Sequence, residues 1–484
     1  GYFPAGAFAW RLSEEPFMNG TKDWLSNLKL RLSYGTSGSD NISSNLWRET
    51  WSSLGSGSNH TPINGELGSF YRPDGLLANS KLKWETTISR NFGIDFGFLN
   101  NRVNGSLEVY WNTTKDLLMA VPVDNTTGYS YQFQNFGKTS NRGIELSVNV
   151  DVINKGDFRF NVGAIYNYNR NKLDELPNAD QYLYSSYWGS SSLVPTNDYM
   201  FVEGKAIGLV RGFISEGYYT VDDFNYTNGQ YVLKEGVPDI TKALTATYMH
   251  PYDLPAGQTA FPGAAKFRDV DESGTVDLDD ATCLGEVMPR HTGSFQLNFN
   301  YKNFDLSTNF NWTAGGKVYN VAAMINASGQ EFDGIGAQRA SWVADAFKVY
   351  NVNAAGDLYA VTNPDELRAL NANAKYHLPY HQSGITSSEW LENGSYLRLQ
   401  TLTLGYTLPK NWLTKVHVDK IRLYLTATNL FTITGYSGID PEVNANPTGQ
   451  SGFYSDLRIF PTLNMDFGTY PRARTFTFGA NITF

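Results

Sequence analysis

Apolar and polar residues alternate one for one along this chain in repeated blocks of about ten, the length of a tilted membrane-crossing strand. The last block sets Phe476, Phe478, Ala480, Ile482 and Phe484 against Thr475, Thr477, Gly479, Asn481 and Thr483. A period of two describes an extended strand with one apolar and one polar face. Residues 28–34, 103–111, 144–152, 158–166, 295–301, 304–312 and 421–428 repeat the pattern. Residues 397–406 change parity near Thr401, which points to a bulge or to a strand boundary at that place.

The connections fall into two classes. Asn100-Asn101, residues 154–157 and Lys302-Asn303 carry the Asn, Gly and Asp chemistry of tight hairpins. Residues 13–27 and 407–420 are medium links, whereas 35–85, 112–141, 167–290, 313–394 and 429–474 are long. Numbering the strands up and down puts every short and medium link at one end and every long one at the other. Phe484 finishes on the short-turn side. Outer-membrane barrels sort their loops this way, with short periplasmic turns and long extracellular loops. A soluble sandwich has no reason to do so, although any single strand here also reads as a half-buried soluble one. The pattern predicts an all-β, transmembrane antiparallel β-barrel of about a dozen strands, with an extra pair inside 167–290.

Composition sharpens this. The 484 residues include 30 Tyr, 29 Phe and 11 Trp, and only 18% are charged, which suits strands and aromatic surfaces better than helices or disorder. With 38 basic against 47 acidic side chains, there is no cationic excess to hold a nucleic acid. The lone Cys283 excludes an intrachain disulfide framework. No apolar run is long enough for a membrane helix, which says nothing against a barrel.

Long loops carry function more often than filler. Trp47, Trp51, Tyr182, Tyr184, Tyr187 and Trp188 lie in them and offer ring faces to sugars, peptide side chains or a covering partner. The alternative for each is packing of loop against loop. The sharpest chemical motif is the run 269–280. Against a twelve-residue calcium loop it sets Asp269, Asp271 and Ser273 at positions one, three and five, with Gly274 at the turn. Thr275 follows as a carbonyl ligand, Asp277 sits at nine, and Asp280 takes twelve where Glu is usual. The alternative is an acidic solvated turn. The flanks do not read as a sensor's helix pair, so a structural calcium clip in an extracellular loop is the expectation. His377 and His381 have helical metal spacing, but Pro379 between them breaks a helix. No HExxH, GxSxG or Walker-A pattern occurs, and nothing points to an enzyme.

Several segments together resemble the SusC/RagA-like family of TonB-dependent outer-membrane transporters. They are Leu25-Ser-Asn-Leu-Lys-Leu-Arg-Leu-Ser-Tyr-Gly35, Leu82-Lys-Trp-Glu-Thr86, Asn135-Phe-Gly137 with Asn141-Arg-Gly-Ile-Glu145, and the acidic loop. Further on come Gly394-Ser-Tyr-Leu-Arg-Leu399, Thr403-Leu-Gly-Tyr-Thr-Leu-Pro409, Ala427-Thr-Asn-Leu-Phe431, Tyr436-Ser-Gly-Ile-Asp-Pro-Glu442 and Tyr470-Pro-Arg-Ala-Arg-Thr-Phe476. The resemblance implies part of a plugged barrel of about 22 strands. Residues 1–484 would be its C-terminal portion, with the plug, TonB box and early strands lying before it. It also implies a bacterial outer-membrane location and import of a nutrient too large for porins, an oligosaccharide or an oligopeptide. A SusD-like surface lipoprotein would act as lid, the TonB complex would supply energy through the plug, and SusCD-type pairs would dimerise. Phe484 matches the terminal aromatic signal read by the barrel-assembly machinery. A passive porin, or a soluble glycan-binding or adhesive β-protein, would share the strands or the aromatics and remains the competing reading at this level.

Overall fold

A computed structural model describes residues 2–484 apart from 40–45, 50, 54–61, 64–65, 68–70, 74–75, 130, 177–180, 186–192, 246–249, 329–339, 379–383, 414–417 and 444–462. Its main feature is a single antiparallel sheet of eleven strands, each paired with its neighbours in sequence. They are β1 (Ala5–Arg11), β2 (Leu25–Ser39), β3 (Glu85–Phe98), β4 (Val103–Lys115), β5 (Lys138–Lys155) and β6 (Phe158–Glu175). β7 (His291–Tyr301), β8 (Phe304–Ala314), β9 (Tyr396–Thr407), β10 (Lys420–Thr434) and β11 (Thr475–Thr483) complete the wall. β1 and β11 are the free edges and do not pair with each other. Eleven strands make half of the roughly 22 in a plugged transporter barrel.

The alternation survives as two chemically distinct faces. Leu32, Ile144, Leu425, Phe476 and Phe478 stand exposed on one side, and no second sheet covers them among the described residues. That removes the two-sheet sandwich. The tight turns use left-handed backbone: Asn100 and Asn101 have φ of 57° and 61°, which Asn tolerates better than most residues. The parity change near Thr401 is a bulge, because the ladders of β9 to both neighbours skip Gln400. The opposite face carries the polar set.

The short links 99–102, 156–157 and 302–303 lie at one end of the wall, and the long connections lie at the other. The extra wall strands expected inside 167–290 do not form. Tyr199–Val202 and Leu209–Gly212 are four residues each, too short to cross, and join Gln181–Tyr184 and Thr282–Glu286 in a separate four-stranded sheet. The long connections fold together over that end of the wall. One core gathers Phe213, Tyr219, Phe261 and Phe267 with Phe347, Leu367 and Ile385. A second joins Leu173 and Leu176, at the loop end of β6, to Tyr199, Tyr319, Met324, Trp390 and Met465. The molecule's packed interior therefore lies in its connections.

Candidate functional site

Three features could meet a ligand or partner: the polar face of the wall, the rim where loops leave it, and the acidic loop. On the polar face Arg31 reaches across the sheet to Asp95 and Glu108 at 2.7 and 2.6 Å, and Asn91 donates to Glu108 at 3.0 Å. Register carries the row onward from Glu108 to Glu145, Asn167, Thr292 and Thr313. Further round, Arg422 grips Asp305 with Nε at 2.9 Å and Nη2 at 2.5 Å. Such a surface suits contact with water and polar solutes, as a barrel lumen requires. Near the loop end, Asn171 on this face accepts the Ile207 N–H at 2.7 Å, tying the folded connections to the wall.

At the rim, Arg398 on β9 is 3% exposed and donates to Asp440 at 2.5 Å, Glu442 at 2.8 Å and the Thr432 hydroxyl at 3.0 Å. Arg472 closes the cluster on Glu442 at 2.6 Å. A buried cation held by two carboxylates and a hydroxyl fixes the segment after β10 against the wall, and removing either partner would strand a buried charge. Arg398, Asp440, Glu442 and Arg472 lie within the motifs quoted above, yet their meeting depends on β9–β10 pairing that local spacing does not encode.

In the acidic loop, carboxylate oxygens of Asp269, Asp271 and Asp280 lie within 4.8 Å of one another. Asp280 is buried and accepts N–H groups from Val270 at 2.5 Å and Asp277 at 2.8 Å, drawing the two ends of the loop together. Gly274 supplies the sharp turn with φ of +88°, and its N–H reaches Asp269 at 2.7 Å. Hydrogen bonds from Ser273 hold the Asp271 carboxyl below its ordinary range. The Ser273 hydroxyl lies 3.0 Å from the Thr275 carbonyl, so both oxygens share one side of the turn. Asp277 stands outside the carboxylate cluster and accepts from the Asp279 N–H at 2.8 Å, capping the short helix Leu278–Asp280. Thr275–Val276 pairs in parallel with Asp239–Ile240, and Val276 is fully buried, so the loop is anchored in the first core.

The six loop aromatics have separate fates. Trp47 is exposed. Trp51 lies in Trp51–Ser53, paired with Tyr71–Pro73. Tyr182 packs at the edge of the second core, and Tyr184 is only 4% exposed, with its ring 4.7 Å from Phe201 and 5.5 Å from Tyr199. Tyr184 therefore has no free ring face to offer; it is a packing residue of the kind weighed as the alternative. Tyr187 and Trp188 lie outside the described residues, as does His381. Phe484 follows β11 and is 86% exposed.

One ionisable pair had no signal in the sequence. His377 is 3% exposed, its Nδ1 lies 2.9 Å from the Leu378 carbonyl, and its Nε2 lies 4.0 Å from Glu389. Burial pushes the histidine down to about 4 and the glutamate up to about 7. At neutral pH the histidine is thereby uncharged and the glutamate only partly ionised inside the folded connections.

Residues 1–430 match the family model described as TonB dependent receptor-like, beta-barrel. The whole chain is 30% identical to TonB-dependent receptor P3 of Formosa agariphila, covering 42% of that protein. It is 27% identical to TonB-dependent receptor SusC of Bacteroides thetaiotaomicron, covering 40% of it. The chain thus spans well under half the length of these relatives. Its fold matches the solved structure titled the RagAB peptide transporter over its full length, with a TM-score of 0.68, 21% identity and 43% coverage of that chain. The chain belongs to the TonB-dependent receptor family of the bacterial outer membrane, as part of a SusC/RagA-like β-barrel.

Proposed function

We propose that the protein containing this wall is a transporter that imports a large nutrient across the outer membrane, driven by TonB through an N-terminal plug and capped by a SusD-like surface lipoprotein. The observation that carries this reading is the division of the chain into a two-faced wall and a folded mass of connections at one end only. A passive porin needs the wall but not two aromatic cores above it. The cargo is an oligosaccharide first and an oligopeptide second. The family resemblance drawn from the sequence motifs puts the first ahead, and the fold match to a structure named a peptide transporter supports the second. Trp47 remains a candidate contact for cargo or lid. Within this reading SusCD-type pairs assemble as dimers in the lipid of the outer membrane. The test is affinity purification of the full-length protein from its own outer membrane in mild detergent. A surface lipoprotein of SusD type should co-purify, and uptake of labelled oligosaccharide should stop when TonB is deleted. A single-component barrel whose uptake ignores TonB would leave the porin.

Calcium in the acidic loop belongs to the same reading. The donor set supports it: three convergent carboxylates, a hydroxyl and a carbonyl are hard oxygen donors of the kind this ion takes. The ion would neutralise the mutual repulsion of Asp269, Asp271 and Asp280 and clip the turn to the first core. Asp269→Ala with Asp271→Ala should then abolish the protection that calcium gives this loop against protease. Equal digestion with calcium and with chelator in the parent protein would count against the metal.

A further inference from the structure

The outward face of β3–β6 carries a second kind of site, at the level where the apolar band ends. On β6 every second residue from Phe158 to Tyr168 is apolar or aromatic, and the next two outward positions are Arg170 and Lys172. Ten residues at about 3.3 Å, tilted by about 40°, span roughly 25 Å, the height of a barrel's apolar band. Arg170 is thus the first outward polar residue on the loop side. Its partner across the ladder is another arginine, Arg142, whose own partner on β4 is Trp111. Arg90 on β3, opposite Tyr34, lies at the same level and donates to Thr113 at 3.4 Å.

Arg142 and Arg170 are exposed, and neither guanidinium has a hydrogen bond or ion pair with any described residue. Lys172 has Asp174 at 3.4 Å. Two like charges set directly opposite on neighbouring strands destabilise a sheet unless an anion lies between them. Among the described residues no carboxylate does so. Beside them a groove of about 550 Å³ is lined by Val109, Trp111, Ile144 and Tyr168 together with Arg142. The feature is local: in β7–β11 the cations are Arg398 and Arg422, both engaged by carboxylates, and Lys420 at the short-turn end. An aromatic groove below a fork of unpaired guanidiniums fits a molecule with an acyl chain and a phosphorylated head, because arginine binds phosphate through paired N–H donors.

We propose that Arg142 and Arg170, flanked by Arg90 and Lys172, bind the phosphate groups of a phosphorylated glycolipid in the outer leaflet, with an acyl chain lying along the groove. The inference needs only the membrane orientation of the wall and is independent of what the protein imports.

The experiment is native mass spectrometry of the full-length protein extracted from its own outer membrane. The parent should retain phosphorylated glycolipid, and Arg142→Gln with Arg170→Gln should cut retention about tenfold or more, as expected when both charge-assisted contacts go. Heat-modifiable migration on gels checks that the variant barrel is intact. If it is not, Arg142→Lys with Arg170→Lys takes its place, and here retention should fall by a smaller factor because the charge stays and the fork is lost. Readdition of the same lipid after enzymatic dephosphorylation should give no binding. Equal retention by parent and a folded glutamine variant would overturn the proposal. So would equal binding of the dephosphorylated lipid, the behaviour of an unselective interfacial anchor, or complete displacement by millimolar inorganic phosphate, the behaviour of a small-anion site.

Discussion

In the wall, Leu32, Leu425 and Phe478 stand between 47% and 73% exposed; in the connections, Phe213, Tyr219 and Tyr319 are sealed at 0%. The same residue types are used in opposite ways. The wall satisfies its backbone through ladders between neighbours and leaves its apolar face for lipid, so the membrane takes the place of a second layer. The connections have only short strands and must bury their own rings. Tyrosine serves them well where its buried hydroxyl reaches a backbone carbonyl: Tyr219 donates to the Pro238 carbonyl at 2.6 Å, Tyr231 to Thr362 at 2.8 Å and Tyr199 to Leu463 at 3.0 Å. One region depends on its solvent for its apolar contacts and the other on its own packing.

Perturbing each region in turn should separate them. The largest effect is expected from Phe213→Ala, which removes a fully buried ring packed 5.5 Å from Phe267. The loss should be about 3–5 kcal/mol from the folded connections. Proteolysis of 176–290 should accelerate while heat-modifiable migration of the barrel stays as in the parent. Loss of both together would show one cooperative unit instead of two. Next comes Val148→Arg, outward on β5 between Gly105 and Ala164 in the middle of the apolar band. Arginine near the midplane should cost about 2–4 kcal/mol in refolding titrations into lipid vesicles. The equivalent change at Val352, exposed at 57% on a hairpin of the connections, should stay within about 0.5 kcal/mol. A similar cost at both sites would mean that the outward face of β5 does not meet lipid.

The same contrast explains what could be read from sequence. Wall strands announce themselves because lipid and water impose a period of two over long stretches, eleven residues each in β7 and β8, and because Asn100-Asn101 and Lys302-Asn303 mark the turns. The acidic loop is legible because its residues are consecutive. The two cores are not, since their partners are far apart in the chain. Leu193–Val194 pairs with Gly384–Ile385, and Tyr319 with Met465, through two-residue contacts too brief to leave a periodic trace. Tyr184 illustrates the cost: an aromatic in a long polar segment looks like a ligand contact until Tyr199 and Phe201 are seen beside it. Arg142 and Arg170 were likewise invisible as a pair until register placed them opposite each other.

The smallest effect, and the finest probe of the connections, lies in the His377–Glu389 pair. Glu389 binds its proton more tightly in the folded state, at about 7 against an ordinary 4.5. Between those values the folded state holds more protons than the unfolded one, so this group makes stability fall as pH rises. His377 does the reverse: its folded value is about 4 against an ordinary 6.5, so the unfolded state holds more protons and stability rises with pH across that interval. From about 4.5 to 6.5 the two slopes oppose each other, and between 6.5 and 7 only the loss from Glu389 remains. Glu389→Gln removes one slope and leaves the other. The variant should gain on the order of 2 kcal/mol over the parent at pH 8 and nothing near pH 4. Its stability should climb from pH 4 to 6.5 and then level off, whereas the parent's should be nearly flat over most of that range and then decline. Thermal melts of the purified protein at half-unit pH steps would show the difference. A variant that simply runs parallel to the parent at every pH would mean that burial beside His377 does not raise the carboxyl, which is then ionised in the folded state as in the unfolded one.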